Sequence, residues 1–303
     1  MAEAIASYEF SDARDEIKES RVSDYFALLK PRVMSLVVFT GFAGFWVAPN
    51  SFDVHPFLAI VAMLSLAVNA GAAGAINMWY DRDIDQVMKR TRGRPIPMGR
   101  VDADEALAFG VILSIFSVMV MGMALNWMAA GILAFANFFY VVIYTMWLKR
   151  LTPQNIVIGG AAGAFPPMVG WAAATGQVSW ESVVLFAIIF FWTPPHFWAL
   201  SLFANSDYKA AKIPMMPVIA GEKSTKIQML IYTLVLFPIT LMPYFMGYAG
   251  VLYLVSAGIL SGFFVVTAVK VLASSDLKHA RLMFSYSVFY LFALFLAVMF
   301  DAT

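Results

Sequence analysis

The stretch Asn77-Met78-Trp79-Tyr80-Asp81-Arg82-Asp83-Ile84-Asp85 sets an amide and two carboxylates four residues apart, at Asn77, Asp81 and Asp85. Residues four apart on a helix lie on one face, one above another, so these three groups are expected to converge. Clustered carboxylates beside an amide suit a hard, oxygen-seeking cation, and Mg2+ is typically held by one or two carboxylates together with substrate phosphates. Just downstream, Lys89, Arg90, Arg92 and Arg94 precede turns at Pro95 and Pro97. Guanidinium groups bind phosphate oxygens in a fork. Together, Asp81 to Arg100 describe a metal–diphosphate site at a membrane surface. An ordinary loop whose acids and bases neutralise one another would explain the arginines but not three acids at a helix end. Asp83 points elsewhere on the helix.

The elements that must carry these groups are membrane helices. The chain of 303 residues is 61% hydrophobic and 13% charged, with a mean hydropathy of +0.77, too apolar for a soluble domain of this length. Apolar runs fall at about 33–48, 56–80, 104–124, 127–147, 153–174, 180–203, 228–247, 250–272 and 281–300, each near the ~17–25 residues of a spanning helix. Helix entries are marked by Asp102 or Asp104, Thr152-Pro153 and Ser179. Trp46, Trp79, Trp127, Trp147, Trp171 and Trp180 sit near segment ends, as an aromatic belt would. The expected fold is an all-α polytopic bundle of about nine transmembrane helices.

All 20 Lys and Arg residues fall before the first segment, in alternate connectors or, for Lys270 and Arg281, at the segment edges facing such a connector. Positively charged connectors stay in the cytoplasm, so the N-terminus and every basic loop are expected there and the C-terminus outside. Residues 1–24 hold seven acids and no apolar core, which excludes a signal or transit peptide; they read as a soluble cytoplasmic tail, with 25–303 as a single transmembrane domain. The acid-rich start argues for a bacterial inner (plasma) membrane over an organellar one, with the site on its cytoplasmic side. The absence of cysteine excludes disulfides, thiolate metal sites and a Cys nucleophile. Nothing in the charge pattern suggests a nucleic acid.

A second charged loop follows the sixth segment: Asn205-Ser-Asp207-Tyr208-Lys209-Ala-Ala211-Lys212-Ile-Pro214. The second and sixth segments thus resemble related halves delivering polar groups to one mouth, and sites of internal repeats lie at the repeat interface. In Trp192-Thr-Pro-Pro-His196-Phe-Trp198, two prolines free backbone carbonyls inside a membrane helix. His196 is either bonded to one of these carbonyls or a ligand or proton-transfer group facing the bundle interior. Lys149 and Arg150 end the fourth segment, where they could serve the helix dipole and topology alone. Gly159, Gly160, Gly163 and Gly170 are expected to allow close helix approach, with cavity lining as the alternative.

These residues together resemble the UbiA-type intramembrane prenyltransferase superfamily, whose first aspartate motif, Asn-x-x-x-Asp-x-x-x-Asp, is matched by Asn77, Asp81 and Asp85. Within it the chain is most similar to the haem O synthases, on Lys89-Arg90-Thr91-Arg92-Gly93-Arg94-Pro95, Tyr144-Thr145 with Lys149-Arg150, the His196 segment, and Asp207-Tyr208 with Ile213-Pro214-Met215-Met216-Pro217. Quinone-type members carry a second Asp-x-x-x-Asp here; this chain has Ala211 four after Asp207.

The resemblance implies transfer of farnesyl from farnesyl diphosphate to a vinyl group of haem B, with Mg2+ as cofactor and the bilayer as setting. It implies Asn77, Asp81, Asp85, Arg90, Arg94 and His196 as catalytic residues, His196 also as a haem contact, through its iron or a propionate. Asp81 and Asp85 become the Mg2+ ligands, with Asp207 a further candidate, and Lys149, Arg150, Lys209 and Lys212 become diphosphate contacts. A downstream haem A synthase or a terminal oxidase assembly factor would be a partner. The alternatives are a quinone-type aromatic prenyltransferase and, from another class, a secondary transporter, against which stands the clustering of charge at one face.

Overall fold

The computed structural model describes residues 20–302, so residues 1–19 of the expected tail lie outside the described residues. Its helices are α1 Val22–Leu28, α2 Pro31–Trp46, α3 Pro56–Tyr80, α4 Arg82–Val87, α5 Ala103–Ala124, α6 Trp127–Phe138, α7 Asn155–Ala164, α8 Pro166–Thr175, α9 Trp180–Phe203, α10 Asn205–Ala210, α11 Met216–Ile219, α12 Gly221–Phe245, α13 Val251–Ala273 and α14 Leu277–Phe300. No strand occurs among the described residues beyond an isolated bridge between Ala249 and Ala302. Eight helical spans are long and apolar enough to cross a membrane, and nine if α1 and Val33–Trp46, which meet at 58°, make one broken span.

Local sequence explains the ends. Proline at the first helical position is compatible with its missing N–H, and it opens α2, α3 and α8. Asp102, Asn126 and Ser179 side chains accept from first-turn N–H groups of α5, α6 and α9. Two spans depart from simple α-helix. α6 runs into a π-helical stretch, Phe139–Trp147, and a 3-10 turn, Leu148–Arg150. The expected single segment over 153–174 is two helices, α7 and α8, divided at Phe165-Pro166, where the proline ring cannot continue the i−4 ladder.

The spans form a closed ring. α3 packs on α5, α5 on α6, α9 on α7, α12 and α14, and α13 on α12 and α14, while α14 also meets α2. α2 crosses α8 so closely that a methyl group on Gly170 would lie 1.9 Å from the Gly41 carbonyl oxygen, and one on Gly44 2.1 Å from that of Pro167. Gly159 leaves room for the Tyr144 ring, whereas Gly163 has open space before it and lines the central cavity. Most tryptophans near segment ends are exposed, but Trp171 is buried against Tyr248. At the far end Asp301 clasps the start of α13, its carboxylate accepting from the Tyr253 N–H at 2.7 Å and its carbonyl from the Gly250 N–H at 2.9 Å.

Candidate functional site

The expected stack at the end of α3 forms, although α3 and α4 divide at Asp81. Backbone bonds from Asp81 N–H to the Asn77 carbonyl (3.0 Å) and from Asp85 N–H to the Asp81 carbonyl (2.8 Å) carry the helical repeat across the division. Asp81 and Asp85 are both buried. The Asn77 amide nitrogen donates to Asp81 Oδ2 at 2.7 Å and to Thr145 Oγ1 at 3.2 Å, and its oxygen accepts from Lys30 Nζ at 2.8 Å. Asn77 is thereby committed to positioning Asp81.

Each carboxylate has its own cation. Lys149 pairs with Asp81, and Arg94 Nη1 meets Asp85 Oδ2 at 2.6 Å. Burial keeps such pairs only where the geometry is good. Asp81 Oδ1 is buried with no hydrogen-bond donor, the nearest being Arg150 Nη2 at 3.6 Å. This buried carboxylate oxygen accepts no hydrogen bond and has only a long ion pair, so with Asp85 it fits the one or two carboxylates that Mg2+ takes, although only Asp85 lines the cavity. Among the described residues no three His, Asp or Glu side chains converge, so the remaining ligands would come from substrate and water.

Arg150 and Asp83 turn outward, forming a two-pronged pair at 2.7 Å for both prongs. These hydrogen bonds from Arg150 hold the Asp83 carboxyl below its ordinary range. Arg150 is therefore occupied away from the cavity wall.

The second loop behaves differently. Lys209 and Lys212 are exposed, and neither lines the cavity. Lys212 sits in the left-handed region at φ 54°. Asp207 is half-buried and accepts from the Arg90 backbone N–H at 3.4 Å, so it supports the first loop and does not line the cavity. The wall is built instead by Tyr208, Ile213 and Met215. Burial raises the Tyr208 phenol above its ordinary value, partly offset by the neighbouring Arg90, so the hydroxyl stays protonated at neutral pH.

The ends of α3 and α9, a first and a second mouth, open on one cavity of about 1060 Å³ running into the bundle. Lys30, Asn77, Asp85, Arg90, Arg94 and Lys149 lie on its wall, as does His196 on another side. His196 is buried, its ring stacked between Trp192 (centroids 4.3 Å) and Phe284 (4.7 Å). Its Nδ1 lies 2.6 Å from Ser287 Oγ, so it bonds a side chain of α14, not a carbonyl freed by the prolines. Lys30 and Ser287 are not singled out by the sequence, and Tyr208 only as part of the motif that carries the resemblance. Lys30 had a signal, as a lysine directly before the proline that opens a helix; Ser287 had none.

A family model described as the UbiA prenyltransferase family matches residues 37–297. A protein of Brucella ovis named protoheme IX farnesyltransferase is 56% identical over 290 residues, covering 94% of this chain and 92% of its own. Among solved structures, one described as digeranylgeranylglyceryl phosphate synthase superposes with a TM-score of 0.77 at 18% identity, covering 92% of this chain and 97% of its own. A UbiA homolog from Archaeoglobus fulgidus bound to GPP and Mg2+ gives 0.64 at 17% identity, with 91% and 99% covered.

Proposed function

The chain belongs to the UbiA prenyltransferase family, and we propose that it transfers farnesyl from farnesyl diphosphate to a vinyl group of haem B, giving haem O and diphosphate. The relatives named for farnesyl transfer to protohaem support the choice of acceptor. The observation that carries the reading is the charge balance at the first mouth. Lys30, Arg90, Arg94 and Lys149 line the cavity there, with Asp85 beside them and Asp81 fully buried behind Lys149. A surplus of cations at the rim of a deep apolar cavity suits a ligand with an anionic head and a hydrocarbon tail.

Asp81 and Asp85 would hold Mg2+, which supplies Lewis-acid stabilisation of the departing diphosphate. Arg90, Arg94, Lys149 and Lys30 share that negative charge as the farnesyl C1–O bond breaks. The allylic cation is attacked by the vinyl π-electrons, forming a carbon–carbon bond. Water adds to the second vinyl carbon and loses a proton, leaving a hydroxyethylfarnesyl side chain. Tyr140, Tyr144, Trp192 and Phe284 line the cavity; aromatic faces stabilise a cation, and an apolar wall limits premature capture by water. His196 contacts the acceptor, at its iron or at a propionate. The positive charge of the basic loops supports a site at the cytoplasmic face of a bacterial inner membrane.

The test uses the full chain in lipid nanodiscs with farnesyl diphosphate and haem B. Haem O and diphosphate are expected in equal amounts, both dependent on Mg2+. A transporter would release no diphosphate, and a quinone-type enzyme would prenylate 4-hydroxybenzoate in preference to haem.

A further inference from the structure

The Ser287 hydroxyl makes two short contacts, at 2.6 Å to His196 Nδ1 and at 2.6 Å to the Phe284 carbonyl oxygen. A hydroxyl has one proton to give and lone pairs to accept with. A carbonyl oxygen cannot donate, so at 2.6 Å the bond to Phe284 needs the serine proton; two oxygens that close without one would repel. The His196 contact must then be served by a proton on the ring. Nδ1 carries that proton, and Nε2 is left as a bare lone pair.

Other contacts make this a set orientation. Trp192 Nε1 donates to the Ser287 carbonyl at 2.8 Å, and the Trp192 and Phe284 rings sandwich the imidazole. Trp192, His196 and Phe284 all line the cavity. Ser287 thus binds through its hydroxyl to the imidazole and through its carbonyl to the indole stacked on it.

We propose that Ser287 is a positioning residue that fixes His196 as the Nδ1–H tautomer, so that Nε2 presents an electron pair to the haem iron of the acceptor. This rests on haem B being the substrate and decides between the two His196 contacts. An Nε2 without a proton repels a propionate and suits a metal, and a metal-bound histidine characteristically donates its other N–H to an outer partner. The single iron–nitrogen bond would fix the macrocycle, and with it the vinyl group, relative to the first mouth.

The tautomer is read without any ligand. The chain has three histidines, so 15N resonances of the full-length protein in nanodiscs, assigned with His196→Ala, report directly on which ring nitrogen is protonated. An Nδ1–H signal for His196 is expected; an Nε2–H signal overturns the proposal. Resonance Raman of the wild-type chain with ferrous haem B should then show an iron–histidine stretch that vanishes in His196→Ala and returns with added imidazole.

Ser287→Ala should move that band to lower frequency and weaken haem binding roughly 10-fold or more, raising KM for haem with a smaller change in kcat, while Ser287→Thr restores the band. A band unmoved by Ser287→Ala rejects the role of Ser287. Wild-type protein that makes haem O with no such band rejects iron ligation and leaves the proposed function standing. Wild-type protein that makes no haem O rejects the proposed function itself, and the proposal with it.

Discussion

The ends of α3 and α9 are built alike and equipped differently. Each long span is followed, after one residue, by a six-residue helix, α4 or α10, and both bring a chain segment to the same cavity. At the first, two carboxylates are buried and each is held by a cation from elsewhere. At the second the acid is half-buried and spent on a backbone N–H, the lysines face outward, and a tyrosine occupies the wall. Backbone pseudo-symmetry therefore does not imply a symmetric metal site. On the proposed reading, the end of α3 handles the anion, and the end of α9, with His196 farther back, shapes the acceptor side.

The most severe test of this asymmetry compares the acids. Asp81→Asn and Asp85→Asn should each reduce diphosphate release on the order of 100-fold or more, with excess Mg2+ giving no recovery, whereas Asp207→Asn should cost under about 3-fold, the loss of one weak backbone contact. Equal losses at Asp85 and Asp207 would restore a symmetric two-mouth site. Next in size, Lys149→Met should slow turnover by about 100-fold. It also leaves the buried Asp81 charge without its main partner, so unfolding in detergent should become easier by about 3 kcal/mol.

Tyr208→Phe removes one hydroxyl from the second wall and the Arg90 contact with it, for an expected loss of roughly fivefold in kcat/KM, the equivalent of about 1 kcal/mol. Lys209→Gln and Lys212→Gln should change kcat/KM by less than about twofold at physiological ionic strength, where exposed charges are screened. A loss comparable to that of Lys149→Met would bring the second loop into the anion site. The smallest effect belongs to Asp83. Because Arg150 lowers its pKa on folding, its contribution to stability is complete above the ordinary value of 3.8 and disappears as the pH falls through the lowered one. Asp83→Asn should cost about 0.5 kcal/mol or less at neutral pH and flatten that part of the acid-unfolding curve.

Much of this was legible in the residues. α3 and α9 span the residues expected of them, with Pro56 and Ser179 marking their starts and Asp81 the end of α3. Asn77, Asp81 and Asp85 stack as their spacing dictates. Three features were hidden for separable reasons. The π-helical stretch over 139–147 has no compositional mark, since it differs from α-helix only in which carbonyl each N–H selects. The outward turn of Lys212 depends on a left-handed backbone at a residue that ordinarily avoids it. Ser287 is a small polar residue on an apolar helix, and only the approach of α14 to α9 gives it meaning. Trp171, Lys209 and Arg150 were placed by position along the chain, which does not determine the direction in which a side chain leaves its helix.

The closure of the ring by α14 against α2 and α9 has a consequence for the order in which the protein comes into being. A chain made from its N-terminus has the carboxylates, Arg94 and Lys149 in place once the fourth span is threaded, well before Ser287 and Phe284 exist. The half proposed to handle the diphosphate is thus in place while the clamp around His196 is still missing its outer jaw. Haem, a toxic molecule when loosely held, would find its seat only on a finished molecule.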